Sequence, residues 1–158
     1  MTYLQMIAGG EVTASDGGTY EIRNPADTSL VASAPQATRA DTHRAIDAAY
    51  AAFPAWSRTD PWQRSAILRR AAETINAQSE VIATAITRET GKPLAQAKGE
   101  VVQTVELFDW CADEARRIYG QILAGRTPNI QHQITHEPVG VVAAFTAWNF
   151  PVLLMSRK

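Results

Sequence analysis

The sequence predicts an α/β fold that is mostly helical, opened by a β-hairpin and followed by a bridging strand and the first strand of an incomplete parallel sheet. Three observations carry that prediction. Residues 38–120 hold apolar positions at helical spacing in four successive stretches, residues 130–136 alternate in the manner of a strand, and residues 139–145 form a nearly unbroken apolar run. A run of that length reads as a strand buried on both faces, which belongs in a parallel sheet covered by crossover helices.

Residues 4–8 and 19–23 mix apolar and β-prone residues, and Asp16, Gly17 and Gly18 between them offer a turn, so the two runs predict a small antiparallel hairpin. After Asn24 and Pro25 the composition turns helical. Thr38 or Asp41 can cap a first helix that buries Ile46, Ala49 and Phe53, and Pro54 ends it. Asp60 before Pro61 marks the second start: the carboxylate accepts free backbone N–H groups, and proline at the first position gives up a donor that has no helical partner. That helix runs to about residue 77, with Ile67, Leu68, Ala71, Ala72 and Ile75 on one face and Arg69, Arg70, Glu73 and Asn76 on the other. Ser79 caps a third helix that turns Ile82 and Ile86 inward and closes at Gly91 in a left-handed conformation.

Pro93 opens the longest helical stretch, which reaches about Tyr119 and Gly120 and repeats Val101, Val105, Phe108, Ala112, Ala115 and Tyr119 at helical spacing. Leu107, Cys111 and Ile118 widen that stripe, so this helix needs an extensive surface to pack on. The apolar run at 139–145 leads into a turn at 146–151 and a helix from Val152 to Lys158, the opening of a βαβ unit whose second strand is not among these residues. The expected organisation is therefore a hairpin and helical layer over 1–125, a bridging strand over 126–137, and the start of a sheet over 138–158.

Composition narrows the function. Fifteen basic and sixteen acidic residues leave a net charge of −1, with no basic stripe of the kind nucleic acid requires. No uncharged apolar stretch approaches about 20 residues and no basic segment precedes an apolar run at the N-terminus, so the chain is expected to be cytoplasmic, with no membrane partner. The single cysteine, Cys111, excludes an internal disulfide and any zinc site in this chain built on two thiolates. It lies inside an apolar helical arc, where a buried, inert thiol is expected. His132 to His136 imitates the HExxH zinc motif, but Gln133 replaces its glutamate, and in a strand the two rings stand about 13 Å apart, too far for one metal. Gly91 and Lys92 do not make a phosphate loop, because Ile86 stands where a glycine is needed and Pro93 where a hydroxyl is needed. Lys92 reads as a solvated or capping residue.

The segment from Glu137, Pro138 and Val139 through Thr146, Ala147, Trp148, Asn149, Phe150 and Pro151 resembles the aldehyde dehydrogenase superfamily. Asn24 and Pro25, residues 52–57 (AFPAWS) and residues 89–93 (ETGKP) stand in the order and at about the spacing of that family, so the similarity spans residues 4–158. Four landmarks in register are far more specific than the WNFP tetrapeptide alone. Ala147 departs from the family's usual proline before the tryptophan.

The resemblance implies a Rossmann-like sheet, NAD or NADP as cofactor, a small-molecule aldehyde as substrate and a homo-oligomer when full length. The chemistry it implies is addition of a cysteine thiolate to the carbonyl, loss of hydride from the adduct to the nicotinamide, and hydrolysis of the thioester by water that a glutamate activates. Asn149 matches the asparagine whose amide donates to the oxyanion, and Phe145, Thr146, Ala147 and Trp148 with it would line the cofactor cleft. Lys158 matches a helix lysine held to relay protons in some relatives. Taken singly, Asn149 reads as a turn residue and Phe150 as a core plug. The run 138–152 looks closest to bacterial semialdehyde dehydrogenases such as those acting on succinate semialdehyde.

Two functions follow as expectations. One is the N-terminal segment of an aldehyde-oxidising enzyme, inactive by itself because the nucleophilic cysteine and the base are not among its residues. The other is a non-catalytic truncated relative that docks on a subunit through residues 126–137, where a strand edge can pair with another chain. Arg157 and Lys158 stand mid-helix without a cap, which favours the first.

Overall fold

Local turn chemistry decides the N-terminal pairing, and it yields two hairpins where one was expected. In the computed structural model, which describes residues 1–158, β1 (Gln5–Ile7) pairs antiparallel with β2 (Gly10–Val12). Ala8 and Gly9 between them both take positive φ, at 55° and 77°, as a two-residue hairpin turn with the twist of its strands requires. β3 (Thr19–Arg23) pairs with β4 (Leu30–Pro35) instead of with residues 4–8. The six-residue loop between them holds itself through Asn24 Oδ1, which accepts from Ala26 N–H at 3.0 Å, and Asp27 Oδ1, which accepts from Ser29 N–H at 3.0 Å. Near neighbours close shorter loops than 4–8 with 19–23 would, at smaller entropic cost. The turn at Asp16 to Gly18 connects β2 to β3 without pairing them.

Helix α1 (Arg39–Trp56) begins with a reciprocal cap, so Thr38 and Asp41 both serve. Thr38 Oγ1 accepts from Asp41 N–H at 3.2 Å, while Asp41 Oδ2 accepts from Thr38 N–H at 2.9 Å and from Ser15 N–H at 3.1 Å. The backbone bonds from Thr38 and Ser15 hold the buried Asp41 carboxyl down to about 2. Pro54 lies within the last turn, and the helix closes two residues beyond it at Trp56. The face expected inward faces out: Ile46 and Ala49 are exposed and Phe53 is half-buried. No other helix covers that side of α1, which looks across a cleft of about 300 Å³ at Gly140, Val141 and Val142.

Helix α2 (Pro61–Ala77) starts as expected, with Asp60 Oδ1 accepting from Trp62 and Gln63 N–H at 2.9 and 3.0 Å. Helix α3 (Ser79–Thr90) takes Gln78 as its cap residue, and Ser79 is its first helical residue rather than the cap. Gly91 ends it at φ 74°, in the left-handed region, as the sequence indicates. Helix α4 (Leu94–Glu114) is the centre of the layer, touching α2, α3 and the short α5 (Pro151–Ser156). Ala83 and Ile86 of α3 meet Ala97 and Val101 of α4, and the small alanines let the helices approach closely. Arg69, expected on the wet face of α2, reaches across to α4 and bonds Asp109 at 3.2 Å and Asp113 at 2.5 Å.

The C-terminal third departs most from expectation. Helix α4 stops at Glu114 instead of near Tyr119, and β5 (Gln121–Ala124) pairs antiparallel with β6 (Gln131–Ile134), so the expected bridging strand is one arm of a hairpin whose other arm begins before residue 126. Residues 139–145 form no strand. The three two-stranded sheets are separate and antiparallel, and this run pairs with none of them. Its backbone groups therefore turn to water, and Val139 and Phe145 are 90% and 89% exposed. No helix is long and apolar enough to cross a membrane.

Candidate active site

The turn that carries Asn149 is held from below by two charged side chains of the helical layer. Pro151 opens α5 at a position where its missing N–H costs nothing, and Phe150 before it provides no side-chain cap. The cap comes from another helix. Glu100, on the buried face of α4 between Ala97, Val101 and Thr104, is 1% exposed, and its Oε1 accepts from Val152 N–H at 3.0 Å and Leu153 N–H at 3.2 Å. A carboxylate placed at free helical N–H groups is favoured by both hydrogen bonding and the helix dipole.

Glu100 Oε2 receives Lys92, which follows the left-handed Gly91 and points along α4. The Lys92 side chain is 12% exposed, so it is neither solvated nor a helix cap. Its ammonium also donates to the Asn149 carbonyl oxygen at 2.8 Å and lies 4.0 Å from the centroid of the Phe150 ring. A cleft of about 290 Å³ beside it is lined by Lys92, Gln96, Gly99, Glu100, Gln103 and Phe150. The backbone of Asn149 is thus anchored, while its side chain is exposed and bonded to no group of the chain.

The other expected site residues lie along the same exposed stretch. Phe145 and Trp148 present flat aromatic surfaces at 89% and 80% exposure, with Thr146 and Ala147 exposed between them. The residues suit one wall of a dinucleotide cleft: aromatic faces for stacking, and main-chain donors and acceptors not engaged in secondary structure. Lys158 follows α5, exposed, with its N–H donating to Met155 O at 3.1 Å. Cys111 is half-buried on the α2 side of α4, in a cleft lined by Trp56, Arg64 and Leu68, whereas Glu100 serves α5.

Lys92 and Glu100 were not among the residues expected at the site. For Glu100 a signal existed: it falls on the stripe of Ala97, Val101 and Thr104, where a carboxylate must be buried and therefore partnered. For Lys92 the signal is its place in ETGKP, one of the landmarks already in register.

The profile of the Aldehyde dehydrogenase family matches residues 12–158. The chain is 40% identical over 152 residues to glutarate-semialdehyde dehydrogenase of Pseudomonas putida, covering 96% of this chain and 32% of the relative. Among solved structures it superposes on succinate-semialdehyde dehydrogenase from Burkholderia pseudomallei with a TM-score of 0.94 at 37% identity, over 99% of this chain and 32% of that one. It also superposes on an NAD-dependent aldehyde dehydrogenase from Sinorhizobium meliloti with a TM-score of 0.94 at 33% identity, over 100% of this chain and 32% of that one. The chain therefore spans about a third of the length of the relatives it matches.

Proposed function

The chain belongs to the aldehyde dehydrogenase family, and from that premise we propose that it supplies the oxyanion donor for NAD- or NADP-dependent oxidation of an aldehyde to a carboxylate. A cysteine thiolate from outside these 158 residues adds to the aldehyde carbon, forming a C–S bond and moving the carbonyl electrons onto oxygen. The Asn149 carboxamide donates to that oxygen more strongly once it is charged, which lowers the barrier to addition. A bound nicotinamide supplies the hydride acceptor. Phe145, Thr146, Ala147 and Trp148, with Asn149, would form one wall of the site that holds it. Hydrolysis of the resulting thioester releases the acid and restores the thiolate, and Lys158 takes part in proton relay.

The observation that carries this reading is the contrast at Asn149, whose main chain is fixed by Lys92 while its amide stays free to meet a ligand oxygen. A semialdehyde is the proposed substrate class, supported by the glutarate- and succinate-semialdehyde dehydrogenases among its relatives. The test is aldehyde-dependent appearance of reduced nicotinamide with the native polypeptide purified from its source, using succinate and glutarate semialdehydes. Turnover unchanged by Asn149→Ala would overturn the assignment.

A second reading rests on β5 and β6, which are exposed along their whole length and leave two strand edges open. A chain that pairs there with another subunit could serve as a docking module without catalysis. Intact mass of the native polypeptide separates the readings: 17.2 kDa favours docking, and a species several times heavier favours the enzyme.

A further inference from the structure

We propose that Lys92 is a positioning residue for the Asn149 carboxamide, acting together with Glu100. The inference rests on the reading of Asn149 as the oxyanion donor and adds the groups that aim it. The Lys92 ammonium has three protons, and its surroundings occupy them in converging directions: Glu100 Oε2, the Asn149 carbonyl oxygen at 2.8 Å, and the face of Phe150 at 4.0 Å. Glu100 uses its other oxygen on Val152 and Leu153 N–H at 3.0 and 3.2 Å. The turn is thereby held on both sides of Phe150, by a lysine 57 residues upstream of Asn149 and a glutamate 52 residues upstream of Val152.

Fixing the peptide plane after Asn149 together with the amides at 152 and 153 fixes the direction in which the Asn149 Cα–Cβ bond leaves the backbone. The side chain itself needs no further tether, so its amide is aimed without being consumed. Aim of this kind matters because displacement of a reacting partner by about 1 Å costs on the order of 10²-fold in rate. Stability alone does not account for the pair, since a well-packed apolar pair of similar volume commonly serves a fold equally well or better. What a buried ion pair with three directed contacts adds is a single geometry for the turn.

The test is ¹⁵N relaxation and amide hydrogen exchange on the 158-residue polypeptide and its variants. Lys92→Met is expected to lower the backbone order parameters at Asn149 and Phe150 from about 0.85 to below about 0.6. Val152 and Leu153 stay protected from exchange, because Glu100 still caps them, and Lys92→Arg restores order at 149 and 150. Where Lys92→Met alone leaves Glu100 too costly to bury, the double variant Lys92→Met/Glu100→Gln keeps the cap without a lone charge and is expected to show the same local loss. Undiminished order at 149 and 150 in whichever of these variants folds would overturn the proposal. So would equal loss of protection at 152 and 153 without rescue by Lys92→Arg, which would make Lys92 a support of the fold alone. None of these readouts involves turnover, so failure of the oxyanion reading, seen as an Asn149→Ala variant of full activity, is distinguishable from failure of this one.

Discussion

Gly91 lies so close to Pro25 that a Cβ at position 91 would stand 2.9 Å from Pro25 Cγ. Two of the landmarks that the sequence holds in register, Asn24–Pro25 and ETGKP, therefore meet in space. The left-handed φ of 74° adds a second reason for glycine there, since an L side chain pays about 1–2 kcal/mol in that region. Gly91→Ala is expected to lower stability by at least that amount, read as a fall in the urea midpoint with an unchanged m-value.

Removing Lys92 is expected to be more damaging to stability than removing the pair. The Glu100 side chain is fully buried and Lys92 nearly so, and breaking a buried ion pair costs about 3–5 kcal/mol because one charge is left without a partner. Lys92→Met should lose an amount of that order in chemical denaturation. Lys92→Met/Glu100→Gln should recover most of it, since the amide oxygen of glutamine still accepts from the first turn of α5.

On the proposed reading, catalysis draws on the Asn149 amide and on residues outside these 158. Asn149→Ala in the native polypeptide should reduce kcat for aldehyde oxidation by about 10²–10³, the effect of deleting one oxyanion donor. The isolated 158-residue polypeptide mixed with NAD or NADP and several aldehydes should form no reduced nicotinamide. Steady formation of it would place a nucleophile within these residues.

Stability should fall at both ends of the pH scale for identifiable reasons. Asp41 is held down to about 2 from an ordinary 3.8, first by the Thr38 backbone bond and then by that of Ser15, so the unfolded chain takes up a proton before the folded one does. That contribution is complete above about pH 4 and disappears as pH falls through about 2; Asp41→Asn should flatten the acid limb. At the other end, Tyr3 donates to Glu89 at 2.5 Å, and that bond, made only by the neutral phenol, pushes its pKa from 10.0 up to about 12. Here the unfolded chain loses its proton first, so the contribution is complete below pH 10 and is lost as pH rises through 12. Tyr3→Phe should remove that slope from midpoints measured across the alkaline range.

The helical layer was legible because its signals are local. Asp60 before Pro61 and Gly91 after Thr90 mark boundaries by chemistry that neighbouring residues complete, and α2 begins and α3 ends where those marks stand. Burial was less legible: Ile46 and Ala49 sit at helical spacing yet face outward, because spacing identifies an apolar face and not what covers it. Strand pairing failed for a related reason. The Ala8–Gly9 turn carries no strong hairpin signature, so the Asp16 to Gly18 turn drew the pairing away from β2, and a sheet strand at 139–145 needs an edge that no local pattern supplies. At the site, the family landmarks located the turn, but the groups beneath it lie more than fifty residues away in sequence, and only the packing of α4 against α5 joins them.

The apolar run at 139–145 has a material consequence. Seven residues without charge or proline, four of them valine or phenylalanine, open to solvent and lacking a neighbouring strand, approach the conditions under which like segments stack into dry interlocked ribbons. Solutions of the 158-residue polypeptide should therefore thicken into thioflavin-positive fibrils as concentration rises, and a lysine in place of Val142 should delay their onset.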